Sequence, residues 1–533
     1  MNILCYHIQN DTIFNSDGEY CKEDYIEWLL RSKRDTIRVF YHLDYFVARL
    51  LKLIGITKEQ AVELSEKEEL ILYGRYKIKY FSGKFFSIDK GSVINGTFKS
   101  QYWQNWSDIS QYFDDCEFSD SDDGQVLADN GKEKGEQVYE ALISLDLNPT
   151  SLISPLNIFE KERLKNLNLI REEEYPSPVG KYAYGCKRGG HVEAYKIGHF
   201  NETWDYDMKS AYAYFTSKLI NTRFGKWVRS GHYEQNAYYG YGIAHVDIED
   251  DISPLIFNNG DLSYTPCGVG NVTINKKMLE FINDENIGEA EVKDFVWFYP
   301  DKIEYPFEKI INELYEKKEK AIGLNREIIK RCSSTIWGLL LQFNGKKLGE
   351  LFNSPLGVDV ECSEQLEVMR FAREGIKKGC DLLHIAVDGV LLAGSHTSTT
   401  SLSNDGAMGS WALTAHSPAF VVGSGCVAIK ETQKDNPFSL RYDWLMSEIR
   451  KNPDSRVYTM EKIMPMTLGK ALVKDKDGND DFDKLGELIK SERRLEVDFE
   501  MKREYGDLPT CGRDLLENKY DSIPRDMVQA SIL

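Results

Sequence analysis

Apolar and polar positions alternate in three different rhythms along this chain. Ile3–Ile8, Thr36–Tyr41 and Tyr76–Ile88 are short apolar or alternating runs that predict strands, whereas the apolar residues of Tyr45–Ile54 recur at three and four and predict a helix. The first hundred residues therefore read as an α/β region. From Asp114-Asp115-Cys116-Glu117 to Asp122-Asp123-Gly124 neither rhythm survives, and the run reads as a solvated acidic loop. Pro155, Pro176 and Pro178 punctuate Thr150–Pro178 and mark a domain transition. Beyond it, Gly189-Gly190 followed by alternation through Tyr195 predicts a turn into a strand. Phe307–Leu341 carries the longest helical pattern. Within Asp381–Ala393 two apolar runs flank Asp388-Gly389, predicting two buried strands joined by a hairpin-type turn at that dipeptide.

Length and composition narrow the class. At roughly 100–200 residues per domain, 533 residues make three or four domains. With 42% apolar and 28% charged residues, the chain is neither disordered nor fibrous. The formal charge of −19, spread evenly, would argue against a polyanionic partner. It is not spread evenly. Gln101–Tyr175 holds 6 basic and 17 acidic residues (−11), while Lys181–Arg229 holds 9 and 4 (+5) and Phe307–Lys347 holds 9 and 5 (+4). Ten cysteines without a C-x-x-C pair read as reduced thiols, as expected of a cytoplasmic protein in a bacterial cell or its equivalent. No signal peptide and no run of roughly 18 apolar residues is present, so no membrane partner is expected.

Three local features carry chemistry. In Trp204-Asp205-Tyr206-Asp207-Met208-Lys209-Ser210, a strand ends on an acid where a helix begins, a place for a divalent cation or for a simple helix cap. Asp388 stands in an apolar run, where an ionised carboxylate is costly unless it sits at a turn or meets a cation. Lys318, Arg326 and Lys330, continued by Ser334 and Trp337, recur at eight, four, four and three residues. That spacing predicts one face of a single helix, able to grip a triphosphate or to stay solvated beside Glu316, Glu319 and Glu327. Two carboxylates from separate strands plus a cationic helix are the requirements of nucleotidyl transfer, in which two divalent ions about 3.5–4 Å apart serve the attacking hydroxyl and the leaving pyrophosphate.

As a set these segments resemble the motifs of family B DNA polymerases, especially the protein-primed branch of small phages and linear plasmids. Asp207-Met208-Lys209-Ser210-Ala211-Tyr212-Ala213 resembles motif A, D-x-x-S-L-Y-P. Lys330 to Gly338 resembles motif B, K-x-x-x-N-S-x-Y-G, and His384-Ile385-Ala386-Val387-Asp388-Gly389 resembles motif C, Y-x-D-T-D-S. Gly189-Gly190 resembles the Y-x-G-G turn before motif A. The resemblance implies that Asp207 and Asp388 are the catalytic, metal-binding acids for two Mg²⁺ or Mn²⁺ ions. It implies that Lys330 holds the incoming triphosphate, assisted by Lys318 and Arg326, that Tyr212 lies under the sugar and excludes a 2′-hydroxyl, and that Ser210 and Ser334 are further substrate-binding positions. Arg188, Gly189 and Gly190 would contact DNA. Ser334, Trp337, Ala213 and Ala386 depart from the pattern, and Cys426-Val427-Ala428 stands where the family has K-x-Y.

Near the N-terminus the exonuclease motifs of that family are matched only by position. His7, Gln9, Phe46 and Lys134 take the places of the metal-binding acids, and Asp17-Gly18-Glu19 reads as a loop. The implied fold is α/β and α+β multidomain, a degenerate RNase H-like exonuclease domain followed by a right-hand polymerase. Residues 1–145 would form the exonuclease-like domain, 146–186 a linker, 187–430 the palm with fingers at about 307–345, and 431–533 the thumb. The implied function is a DNA polymerase without proofreading, with DNA, dNTPs and a terminal protein or other protein primer as partners. Two alternatives stand beside it: a template-independent or protein-primed specialised synthetase, for example in phage defence, and a nonenzymatic DNA-binding remnant.

Overall fold

A computed structural model describes residues 2–31, 36–113, 123–259, 262–344, 347–394, 406–432, 441–475, 478–497 and 502–527. The acidic run expected as a loop lies outside the described residues except for Asp123 and Gly124. The Asp123 side chain accepts from the Gln125 N–H and caps the helix Gly124–Ser144.

Two compact units emerge, each discontinuous in sequence. The first comprises Met1–Leu164, Glu316–Cys332 and Glu461–Glu492; the second comprises Lys165–Tyr315, Ser333–Met460 and Arg493–Leu533. In the first, Asn2–Gln9 and Thr36–Phe40 are strands and Leu43–Leu53 is a helix, close to the expected bounds. The run Tyr76–Ile88 is not one strand. It is a hairpin of Tyr76–Phe81 and Phe85–Ile94, because Gly83, at φ 64°, supplies the turn. These strands belong to an eight-stranded mixed sheet in which Thr36–Phe40 pairs in parallel with both Asn2–Gln9 and Thr97–Asp108. Phe40 anchors its core, stacked on Phe46 at 3.8 Å and on Trp106 at 5.8 Å.

The second unit is built on an antiparallel sheet whose long strand, Lys196–Met208, pairs with Gly389–Ala393 on one side and with Trp411–Gly423 on the other. Asp381–Ala386 and Val192–Ala194 extend the sheet beyond Gly389–Ala393. The helix Ser354–Lys377 has Pro355 in its first turn and an Asn353 cap, which accepts the Leu356 N–H at 3.1 Å. It is buried along most of its length, polar positions from Asp359 to Gln365 included.

Two expectations need correction. The hairpin turn falls on Val387-Asp388 rather than on Asp388-Gly389, since Gly389 already pairs with Ala386 and Asp207. The residue with positive φ is Val387, at 57°, a conformation that β-branched residues avoid. The long helical pattern is also two helices, Glu308–Lys320 and Gly323–Leu339. The chain breaks where Gly323 takes φ 55°, and the Arg326 guanidinium caps the first helix by donating to the Lys318 carbonyl at 2.9 Å. Lys318 therefore does not share a helix with Arg326 and Lys330.

A buried ionic network braces the Val387 turn from below. The His191 carbonyl accepts the Val387 N–H at 2.7 Å, and His191 Nε2 lies 2.8 Å from Glu193 Oε2. Glu193 also accepts from Thr265 at 2.6 Å and pairs with Arg503 at 3.2 Å, both members of that pair being 1% exposed. Arg503 in turn donates to Ser522 at 2.6 Å. Burial opposes ionisation of Glu193, but His191, Arg503 and Thr265 outweigh it and hold the carboxyl below its ordinary range. Removing one partner of such a pair leaves an uncompensated buried charge. Arg503→Ala should thus destabilise the second unit by about 3–5 kcal/mol, read as a fall in urea midpoint at constant slope.

Candidate nucleotidyl-transfer site

Antiparallel register brings the two acids together. Asp207 lies opposite Gly389, and the Met208 N–H donates to the Asp388 carbonyl at 3.0 Å, so the end of one strand runs beside the turn that opens the next. Asp207 is exposed and Asp388 half-buried. The carboxylate of the neighbouring Asp205 accepts from the Thr414 hydroxyl at 2.6 Å. After Asp207 the chain enters the helix Ala211–Ser217 through Ser210, at φ 53°, whose side chain makes no cap bond. Lys209 is tied to the turn before the strand Trp411–Gly423 by paired backbone bonds with Gly409 and Ser410.

Tyr212, on the first turn of that helix, stacks on Trp337 with ring centroids 4.5 Å apart and planes 11° from parallel. Trp337, where the motif B resemblance has tyrosine, thus sets an aromatic plane against Tyr212. Ala213 is buried where the motif has proline.

The Gly189-Gly190 turn is held against the same centre. Gly189 has φ 84°, and its N–H donates to Glu361 Oε1 at 2.7 Å, alongside the Arg188 N–H at 2.5 Å. Gln365 donates to the Gly189 carbonyl. A Cβ on Gly190 would stand 3.0 Å from Val387 Cγ2, which explains the absence of a side chain there. The Arg188 guanidinium is spent on the carbonyls of Gly185 and Thr273.

Sequence reading missed the helix Ser354–Lys377 as a source of site residues. It carries three buried acids, each in a different state. Asp359 pairs with Lys277 at 2.7 Å, Glu361 takes the two backbone N–H groups above, and Glu364 is fully buried with no ion-pair partner among the described residues. Burial first, then the negative charges of Asp388 and Glu361, push the Glu364 carboxyl far above its usual range. An acid every few residues on an apolar helix is the only sequence signal, and it equally describes a solvated face.

The basic residues are not equivalent. Ser334 lies in the second unit, and Lys318, Arg326 and Lys330 in the first. Lys318 is buried, which lowers its pKa, and Arg326 serves the helix break. Lys330 is exposed and lies 3.9 Å from Glu327.

Within the first unit, the positions expected for exonuclease acids hold no carboxylate. Phe46 is core, and Lys134 Nζ sits 4.1 Å from the centre of the Tyr41 ring. Burial holds the His7 and His42 pKa values at about 4, so both are neutral at pH 7. Asp17 and Glu19 lie in a turn organised by the Asn15 side chain. Asp44 is committed to Tyr80, Ser82 and the Gly83 N–H.

Among the described residues no group of three or more His, Cys, Asp or Glu side chains is placed to hold a metal ion, and their cysteines are all free thiols. The backbone register sets Asp207 and Asp388 at neighbouring positions, one exposed and one half-buried, and Mg²⁺ is commonly held by one or two carboxylates with water and phosphate completing its shell. No described helix is long and apolar enough to cross a membrane.

No family model and no curated protein matches the chain in sequence. Solved structures do match in fold. Phi29 DNA polymerase complexed with primer–template DNA and incoming nucleotide substrates aligns with a TM-score of 0.62 at 10% identity, over 93% of this chain and 100% of the other. Its post-translocation binary complex gives 0.59 at 11% identity over the same shares, and its complex with single-stranded DNA gives 0.56 at 10% over 98% of each chain. The mixed α/β multidomain fold of Phi29 DNA polymerase thus extends over nearly the whole chain, as the resemblance of the three motifs leads one to expect.

One pH dependence follows from the strand leading to Asp388. His384 is buried, and its Nε2 accepts the Gly425 N–H at 2.9 Å, which requires the neutral ring. Burial, then the charges of Lys502 and His191, lower its pKa from 6.5 to about 3. The unfolded chain takes up this proton first, so the contribution is intact above pH 6.5 and is lost as pH falls toward 3. The melting temperature should drop between pH 7 and pH 4.5, and less so in His384→Gln.

Proposed function

We propose that this chain is a DNA polymerase that transfers deoxynucleotides from dNTPs to a 3′ or protein-borne hydroxyl. The observation that carries this reading is the backbone pairing that sets Asp207 beside Asp388 within a fold shared with Phi29 DNA polymerase. Asp207 and Asp388 would hold Mg²⁺ or Mn²⁺, which when bound supplies the Lewis acid that such a transfer uses.

The remaining work falls to the protein. Asp207, at the exposed strand end, faces the incoming nucleotide, while Asp388 is held by a turn that His191 fixes from below. Tyr212, kept flat by Trp337, lies under the sugar and leaves no room for a 2′-hydroxyl. Ser210 and Ser334 border it in their motifs. Lys330 is assigned to the triphosphate by its place in motif B, with Lys318 and Arg326 shaping the helix pair that presents it. Gly189, Gly190 and Arg188 form the turn along which the template strand would run. A nonenzymatic remnant is disfavoured, because an exposed Asp207 and a costly, half-buried Asp388 remain side by side.

Labelled-dNTP incorporation, with and without template, tests the reading. Asp207→Asn and Asp388→Asn should each lower incorporation about a hundredfold or more while melting like the parent. Incorporation at parental rates by both variants would overturn it, and parental incorporation that ignores the template would favour a template-independent synthetase. The first unit, with His7, Gln9, Phe46 and Lys134 in place of acids, should leave a labelled 3′ end intact when Mg²⁺ is present and dNTPs are absent. Nucleotide-by-nucleotide shortening would restore proofreading to it.

A further inference from the structure

Three side chains of the C-terminal segment converge on one short strand of the sheet that carries Asp207. Val192–Ala194 is three residues long, and among the described residues it stands at the sheet's edge, paired with Asp381–Ala386. The Lys502 ammonium donates to the Val192 carbonyl at 2.6 Å, Arg503 pairs with Glu193 at 3.2 Å, and the Tyr505 hydroxyl donates to the Ala194 carbonyl at 2.7 Å. Each position of the strand is thus tied to a side chain 310 or 311 residues away. So short an edge strand has few ladder bonds of its own, and these ties supplement them.

Arg503 is anchored on every side. It is 1% exposed; its Nε donates to the Ser522 hydroxyl at 2.6 Å, its Nη1 to the Asp251 carbonyl at 3.3 Å as well as to Glu193, and its Nη2 to the Ser522 carbonyl at 3.3 Å. The Tyr195 ring centre lies 4.4 Å from the guanidinium carbon. Glu193 is engaged through both oxygens, Oε1 by Arg503 and Oε2 by His191 and Thr265. This chain of contacts ends at the turn that carries Asp388. The His191 carbonyl accepts the Val387 N–H at 2.7 Å, and Val387 holds a left-handed conformation that its surroundings must enforce. Apolar residues of similar volume often stabilise an interior as well as a buried ion pair does; what the planar guanidinium fork adds is a fixed direction.

We propose that Arg503 is a positioning residue for the divalent-cation centre: acting through Glu193 and His191, it fixes the height of Asp388 relative to Asp207 and thereby the affinity of the two acids for Mg²⁺ or Mn²⁺. The proposal rests on the polymerase reading above, in which those acids form the centre. Its content is separate: a buried side chain of the C-terminal segment, reaching the turn through two other residues, governs how tightly the cation is held.

The test is Mn²⁺ binding to the full chain, read by paramagnetic resonance with primer–template DNA and a non-hydrolysable dNTP present, because the dissociation constant does not depend on how much of the sample is folded. Removing Arg503 alone strands the Glu193 charge. The informative variant is therefore Glu193→Gln with Arg503→Met, which leaves no charge uncompensated, keeps an acceptor for Thr265 and cuts the tether to the C-terminal segment. It should melt close to the parent yet bind Mn²⁺ about tenfold more weakly, the loss typical of a residue that orients a metal ligand. Ser522→Ala keeps the ion pair but frees the guanidinium plane, and about threefold weaker binding is expected, the worth of one hydrogen bond. Parental Mn²⁺ affinity in a folded double variant would overturn the proposal. Should that variant not fold, parental affinity in Ser522→Ala would overturn it equally. Absence of tight Mn²⁺ binding and of dNTP incorporation in the parent would instead refute the polymerase reading and this proposal with it.

Discussion

The hydrogen bond from the Met208 N–H to the Asp388 carbonyl is the constraint on which the site depends. It terminates the pairing of two antiparallel strands far apart in sequence and fixes the relative height of Asp207 and Asp388. A one-residue slip would carry Asp207 to the other face of the sheet, because side chains alternate with a period of two. Two features hold the register. Trp411–Gly423 pairs along the other edge of the Asp207 strand, and the Val387 turn is pinned by the His191 carbonyl. The positive φ of Val387 costs of order 1–3 kcal/mol, which the surrounding contacts must outweigh. The Glu193–Arg503 network beneath His191 supplies rigid support where the strain is greatest.

Acids in the second unit illustrate how environment assigns different work to one functional group. Asp207 is exposed, Asp205 is satisfied by a hydroxyl, Glu193 is ionised against Arg503, Glu361 organises two backbone N–H groups, and Glu364 is kept uncharged. A carboxylate open to water can exchange water for a cation. One paired with an arginine has its charge already compensated. Exposure thus sets Asp207 apart from the buried acids Glu193, Glu361 and Glu364.

Much of this was legible in the sequence, for identifiable reasons. Asp388 stood out because an acid in an apolar run is expensive, and the strands around it because β-branched and leucine runs bounded by glycine have few other readings. Gly189-Gly190 was legible as a turn, and its close packing on Val387 supplies the reason for the second glycine. The break at Gly323 was hidden, since charged residues on either side continue the helical period through it. The position of the turn was hidden as well, because Asp-Gly is the better turn former and Val387 the strained one. Glu364, Glu361 and Arg503 left no signal, because their partners lie in distant segments and an acid on a helix reads by default as solvated. Net charge became informative only when counted by segment, with one basic stretch spanning the strand that carries Asp207.

Binding of Mn²⁺ tests the central claim, that Asp207 and Asp388 form one divalent-cation centre. Its paramagnetic resonance can be titrated on the full chain with primer–template DNA and a non-hydrolysable dNTP. Loss of the tightly bound Mn²⁺ signal in Asp207→Asn and, separately, in Asp388→Asn is the predicted result. Full Mn²⁺ occupancy in both variants would contradict it.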